Sequence, residues 1–186
     1  MTLYIKYMVC LRCKLMVMNE LKKLGLPYSN VELGVIEFHR DISFQERQDL
    51  QESLCELGLD VLEDNKSILV EQIKILVLDS IHHSEEIPIT KYSEYISNKL
   101  GYDYTYLSNV FSEVKGISIR QYVIINKVER VKELLMYDEF TLTEISYILN
   151  YSSVAHLSNQ FKKITGLSPS YYRQLEFKPR KCLDEV

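Results

Sequence analysis

Residues 157–172, LSNQFKKITGLSPSYY, decide how this chain is read, because residues 107–122, LSNVFSEVKGISIRQY, set down the same pattern fifty positions earlier. Seven of the sixteen aligned positions are identical, with Leu, Ser, Asn, Phe, Gly, Ser and Tyr recurring in order. Upstream, at an offset of 49 rather than 50, residues 95–102 (YISNKLGY) align with residues 144–151 (EISYILNY). Agreement over a whole helix-turn-helix-turn unit predicts a duplicated helical module.

The second copy has its own local logic. Thr141 followed by Glu144 is a capping box that starts a short helix, with Leu142, Ile145, Ile148 and Leu149 as its buried stripe. Asn150 tolerates the left-handed conformation that ends a helix, and Ser152 or Ser153 caps the next one. In that second helix Val154, Leu157, Phe161 and Ile164 share one side at helical spacing, which leaves His156, Asn159, Gln160 and Lys163 on the other. Gly166 closes it, and Ser168-Pro169 opens a further helix. A helix-turn-helix of this kind presents Asn and Gln amides to base edges and Lys162 and Lys163 to phosphates, with backbone N–H groups at Ser152 and Ser153 suited to a phosphate oxygen.

In the first copy Ile96 and Leu100 lie inside the first helix, Gly101 ends it, and Leu107, Phe111 and Val114 form the stripe of the second. Tyr104, Tyr106, Asn109, Val110 and Glu113 are the outward positions, and Lys115 is the only basic residue there. Weaker DNA contact is expected of this copy, carried by Tyr104, Tyr106 and Asn109. Between the copies, the Ser118/Gln121 pair and Val123, Ile124, Val128, Val131, Leu134 and Leu135 predict a helix of about five turns, long enough to hold two reading heads near one DNA repeat apart.

Composition agrees with a folded chain of one or two small domains: 186 residues, 46% hydrophobic and 26% charged. No apolar run approaches a membrane span and no secretory h-region opens the chain, so the cytoplasm is the expected address. The net charge of -4 hides a change of sign, since residues 1–87 hold 9 basic and 15 acidic groups and residues 88–186 hold 13 and 11. A weakly acidic protein can still offer a local face for the DNA backbone.

The N-terminal residues read as βαββαβ: a strand at 3–8, a helix whose apolar face is Leu11, Leu15, Met18 and Leu21, two strands meeting at Gly34, a helix from the Ser43/Glu46 capping box to Leu57, and a strand at 59–62. The fold class is α+β, a small βαββαβ ferredoxin-like domain at 1–65 followed by an all-α domain with two helix-turn-helix motifs at 66–175 and a basic tail at 176–186. A helix at 67–82, with Ile68, Ile73, Leu76, Val77 and Ile81 at core positions, begins the second domain, and His82 and His83 read as its solvated end.

Residues 142–174, LTEISYILNYSSVAHLSNQFKKITGLSPSYYRQ, resemble the DNA-binding signature of AraC/XylS-type transcription regulators. Phe161, Lys162, Lys163, Gly166, Ser168, Pro169, Tyr172 and Arg173 match that pattern directly, while Asn150 and Tyr151 stand for its Gly-Phe, Leu157 for a Phe and Asn159 for an Arg. Ser97 and Ser146 replace the alanine common in the first helix of each motif. The resemblance, extended by the first copy across roughly 68–175, implies seven helices in two subdomains, both recognition helices on double-stranded DNA, and regulation through RNA polymerase. Two motifs in one chain can fill two major grooves alone; a homodimer is compatible but not required.

Tyr7-Met8-Val9-Cys10-Leu11-Arg12-Cys13 resembles the GMxCxxC motif of heavy-metal-associated domains, with Tyr7 in place of the glycine. The resemblance implies Cu(I) or another soft ion held by the Cys10 and Cys13 thiolates, which Arg12 and Lys14 would favour. Three readings of the pair stay open: metal sensing, thiol redox sensing, and an inherited fold that dimerises or binds another effector. Four cysteines, with Cys55 and Cys182 remote, make no disulfide scaffold. No Gly-rich phosphate loop, HExxH or supported Ser-His-Asp set is present, so an enzyme is not expected. The rival class is a metal- or redox-responsive protein whose helical half binds protein.

Overall fold

A computed structural model describes residues 1–62, 64–82, 92–137 and 139–175. The chain divides into two compact units, Met1–Ile75 and Leu76–Val186. The basic tail expected at 176–186, together with His83 and Cys182, lies outside the described residues.

The first unit runs β1 (Thr2–Lys6), α1 (Leu11–Lys23), β2 (Tyr28–Glu32), β3 (Val35–Phe38), α2 (Phe44–Glu56), β4 (Asp60–Leu62) and the opening turns of α3 (Asn65–His82). Its sheet has the order β2-β3-β1-β4 with every pairing antiparallel, the βαββαβ arrangement expected. Alternation buries Leu3 and Ile5 of β1 with Val31, Ile36, Phe38 and Val61 of its neighbours, against Val17 and Leu21 of α1 and Leu50 and Leu54 of α2. Ser43 and Glu46 close the capping box that starts α2. Glu20 ties the helices together, taking bonds from Lys23 Nζ at 2.6 Å and from Ser53 Oγ of α2 at 2.7 Å.

Two expectations fail here for one reason. The strand stops at Lys6 rather than residue 8 because Tyr7 takes φ 67°, a left-handed turn that swings the chain out of the sheet. That turn also sets the phase of α1, so Val17 and Leu21 face the core while Leu11 and Leu15 are 67% and 55% exposed. Tyr7 is held in place: its N–H donates to Glu71 Oε1 of α3 at 3.1 Å, and Glu71 in turn pairs with Lys74 Nζ at 2.9 Å, both charges buried. Gly34, at φ 74°, sits where a Cβ would overlap the Ile75 side chain.

The second unit takes the end of α3, then α4 (Tyr92–Leu100), α5 (Tyr104–Lys115), α6 (Ile119–Tyr137), α7 (Leu142–Ile148), α8 (Val154–Thr165) and α9 (Pro169–Gln174). The helix at 67–82 begins two residues early, at Asn65; Ile73, Val77 and Ile81 are buried as expected, together with Leu69, Val70 and Leu78, while Ile68 and Leu76 are only half-buried. His82 is no solvated end: half-buried, its Nδ1 lies 3.8 Å from Glu133 Oε2 of α6. The long linking helix is present as α6, 19 residues or roughly 28 Å at 1.5 Å per residue. It packs against α5, α8 and α9, so both copies are built on it.

Candidate nucleic-acid interface

The duplication is visible in geometry. Helices α5 and α8 are both 12 residues long and fifty apart in register. Gly116 and Gly166 end them at φ 71° and 79°, with N–H groups bonded to Ser112 O and Lys162 O. Phe111 meets Tyr122 at 5.4 Å between ring centroids, and Phe161 meets Tyr172 at 5.5 Å. All four rings are buried, so the aromatic pair that locks each copy to its following helix is conserved within the chain. The turn between helices also repeats, with Gly101 at φ 72° in one copy and Asn150 at φ 54° in the other.

In the second copy Thr141 and Glu144 form the expected capping box. Leu149 N–H and Asn150 N–H bond back into α7, and Ser153 caps α8 by accepting from His156 N at 3.1 Å. Leu157 and Phe161 are buried; His156, Asn159, Lys162 and Lys163 are exposed, and Gln160 is half-buried at the edge of the same side. The expected stripes need trimming. Ile148 and Ile164 are exposed: seven-residue α7 buries Ile145 and Ser146, with Leu149 buried at its C-cap, and Ile164 lies in the last turn of α8, beyond Phe161.

His156 is the most constrained of these side chains. Its Nδ1 lies 2.9 Å from Ser152 Oγ, and its ring meets Tyr151 edge-on at 5.3 Å and 87°. Ser152 therefore orients the imidazole, and Ser153, not Ser152, is the cap. One ring nitrogen is thereby fixed to the protein.

Lys127 of α6 holds the preceding turn, a role sequence reasoning missed. Its Nζ donates to Leu149 O at 2.8 Å and lies 5.6 Å and 5.3 Å from the ring centres of Tyr92 and Tyr151. Burial pushes the Lys127 amine below its ordinary value, and burial likewise raises the Tyr151 phenol. Arg173 of α9 fixes the other end of α7, donating from Nη2 to Phe140 O at 2.6 Å. Neither contact has a local signature, since each joins residues more than twenty positions apart.

The first copy differs at its head. Asp103 caps α5, accepting from Thr105 N at 2.8 Å and Tyr106 N at 3.4 Å, and these bonds, the Thr105 ones first, hold its carboxyl below the usual range. Tyr106 and Asn109 are exposed, Tyr104 is half-buried, and Tyr102 stacks beside Tyr106 at 5.6 Å. Val110 is buried, not outward, because it falls three residues after Leu107 on the core side; Val114, in the last turn before Gly116, is exposed instead. Asp is a common N-cap, so Asp103 was readable from its type and place.

Cys10 and Cys13 come together in the first unit, with sulfurs 3.4 Å apart at the N-terminus of α1. Among the described residues no group of three or more His, Cys, Asp or Glu stands close enough to hold a metal ion. Two sulfurs alone do not complete a four-ligand zinc site.

No helix among the described residues is long and apolar enough to cross a membrane. The family described as a helix-turn-helix domain matches residues 96–175. Over 111 residues the chain is 31% identical to an uncharacterized HTH-type transcriptional regulator of Staphylococcus aureus strain MSSA476, which covers 59% of this chain and 14% of that protein. It is 31% identical over 98 residues to the uncharacterized HTH-type transcriptional regulator YtdP of Bacillus subtilis strain 168, covering 53% of this chain and 12% of that one. The match thus spans about a seventh of the length of these curated relatives. Among solved structures, the C-terminal domain of AraT, a response regulator from Geobacillus stearothermophilus, is similar at a TM-score of 0.51 and 25% identity, over 63% of this chain and 97% of that one. Residues 96–175 thus match a helix-turn-helix domain and follow, in sequence, a ferredoxin-like βαββαβ unit.

Proposed function

We propose that this chain is a bacterial transcription regulator of the AraC/XylS type that binds double-stranded DNA, with α8 as the principal reading helix and α5 as a weaker second one. The observation that carries this reading is the exposed row on α8, opposite Leu157 and Phe161, headed by a neutral serine cap and free of acidic residues. His156, Asn159 and Gln160 have the donors and acceptors that base edges require, and Lys162 and Lys163 supply charge for phosphates. Tyr104, Tyr106 and Asn109 take the corresponding places on α5. Ser152 and Ser153 support the head of α8, one by orienting His156 and one by capping.

The small N-terminal domain is the regulatory half of this proposal, and RNA polymerase is the partner through which such a regulator acts. Two reading helices on one chain need no second subunit to occupy successive grooves, so a single copy suffices for a two-part site.

The test is selection of bound duplexes from a random pool with the full chain. The proposal expects two short half-sites with centres about one helical turn, ~10.5 base pairs, apart. Recovery of the unselected pool composition at low salt would remove it.

A further inference from the structure

The DNA reading leaves unused the best-formed reactive group of the first unit, the loop from Tyr7 to Cys13. Cys10 is the N-cap of α1, yet its side chain closes no capping bond. Cys13, one turn along, presents its sulfur 3.4 Å from that of Cys10 and 3.9 Å from Tyr7 O. A disulfide requires ~2.0 Å, so closure of the pair asks for a movement of about 1.4 Å, within the reach of side-chain rotation at the first turn of a helix. Both sulfurs belong to half-buried residues that solvent reaches. The loop that carries them is anchored rather than slack: Met8 is fully buried, the Tyr7 N–H is bonded to Glu71, and the Tyr7 ring lies between Lys6 Nζ at 4.6 Å and Lys74 Nζ at 5.5 Å.

The two thiols are not placed alike: Cys10 stands at the N-cap of α1 with its side chain closing no capping bond, whereas the Cys13 sulfur lies one turn along and donates toward Tyr7 O at 3.9 Å. A sulfur at the open head of a helix is placed to attack, and the one held against the loop to resolve.

We propose that Cys10 and Cys13 form a reversible dithiol–disulfide site, with Cys10 as the attacking sulfur, Cys13 as the resolving sulfur, and a low-molecular-weight disulfide as the oxidant. The Cys10 thiolate attacks one sulfur of the disulfide RSSR; that S–S bond breaks, a Cys10–S–S–R bond forms, and one RS⁻ leaves and takes a proton. Cys13 then releases its proton to solvent and its sulfur attacks Cys10, expelling the second RS⁻. Two protein thiols have lost two electrons and RSSR has become two RSH; excess RSH drives the reverse. The pair needs no metal for this, and the inference stands independently of whether α8 reads DNA.

The experiment uses the full chain with Cys55→Ser and Cys182→Ser, so that the pair holds the only thiols, freed of metal by a chelator. The protein is equilibrated with oxidised and reduced glutathione at graded ratios, quenched in acid, alkylated and weighed intact. Expected is a monomer that loses both alkylation sites together and two hydrogens in mass, restored by excess reduced glutathione. Adding Cys13→Ser should trap one glutathione on Cys10, whereas Cys10→Ser should leave Cys13 glutathionylated at least tenfold more slowly. Peptide mapping after brief alkylation of the intact pair gives the same order without altering either residue, with Cys10 modified first. Thiols that stay alkylatable at every ratio, disulfides formed only between chains, or equal rates at the two cysteines would overturn the proposal.

Discussion

Phe111 against Tyr122 and Phe161 against Tyr172 are the same contact fifty residues apart, at 5.4 and 5.5 Å, whereas Asp103 and Ser153, at the heads of the two helices concerned, differ by a full charge. Inside, the two copies obey one packing rule, because a change of volume at either aromatic position would open a cavity. Outside, they are under no such constraint and have diverged. Helix α5 offers Tyr104, Tyr106, Asn109 and Glu113 behind a carboxylate cap; α8 offers His156, Asn159, Gln160 and two lysines behind a hydroxyl. A helix N-terminus attracts phosphate through its N–H groups and dipole. At α5 that attraction is already answered by Asp103, so under the proposed DNA reading phosphate contact is expected of the second copy.

The aromatic pairs provide the largest test of equivalence. Phe111→Ala and Phe161→Ala should each cost about 3 to 5 kcal/mol of stability in denaturant melts, the usual range for a buried Phe. A cost confined to one copy would break the symmetry of the interior. Next come the reading positions that face each other across the repeat, Tyr106 and His156. His156→Ala should lose about 1 to 3 kcal/mol on the selected site with little change on random duplex, and Tyr106→Ala less, measured by filter binding. Equal losses would mean that both copies read bases alike.

Charge comes next in size. Lys162→Gln and Lys163→Gln should each weaken all duplexes about equally and lower the salt slope by ~0.9. Glu113→Gln, on the corresponding turn of α5, should move the slope little or slightly the other way. The smallest effect is expected at Asp103→Ser, which keeps a capping oxygen while removing the charge, and should tighten binding to every sequence. Because the folded carboxyl sits below its ordinary value, its capping contribution is present above about pH 4 and lost as pH falls through the lower folded value. Acid melts of the parent chain should therefore show a loss in that window that the serine variant lacks.

The helical half was legible because the repeat confirms each local signal twice. Gly116 and Gly166 occupy left-handed turns, Asn150 does so without being glycine, and the Thr141/Glu144 box opens α7 where its spacing indicates. What stayed hidden depends on phase or distance. Leu15, Met16, Val17 and Met18 are consecutive apolar residues, so α1 could present either of two faces, and the choice is made by a turn at Tyr7 that its residue type does not announce. The same limit applies to Val110 against Val114, where period alone admits both. Lys127 against Leu149 O and His82 against Glu133 are tertiary contacts with no sequence period to betray them.

Asn109 and Asn159 are the same residue at the same register of the two helices, both exposed, and differ only in their surroundings. Equilibrium binding of the selected duplex by Asn109→Ala and Asn159→Ala, at one salt concentration and with matched folding controls, therefore tests directly whether α8 is the principal reader. The account predicts that loss of Asn159 costs at least tenfold in affinity for that duplex and loss of Asn109 severalfold at most. Equal losses, or a larger loss at Asn109, would contradict it.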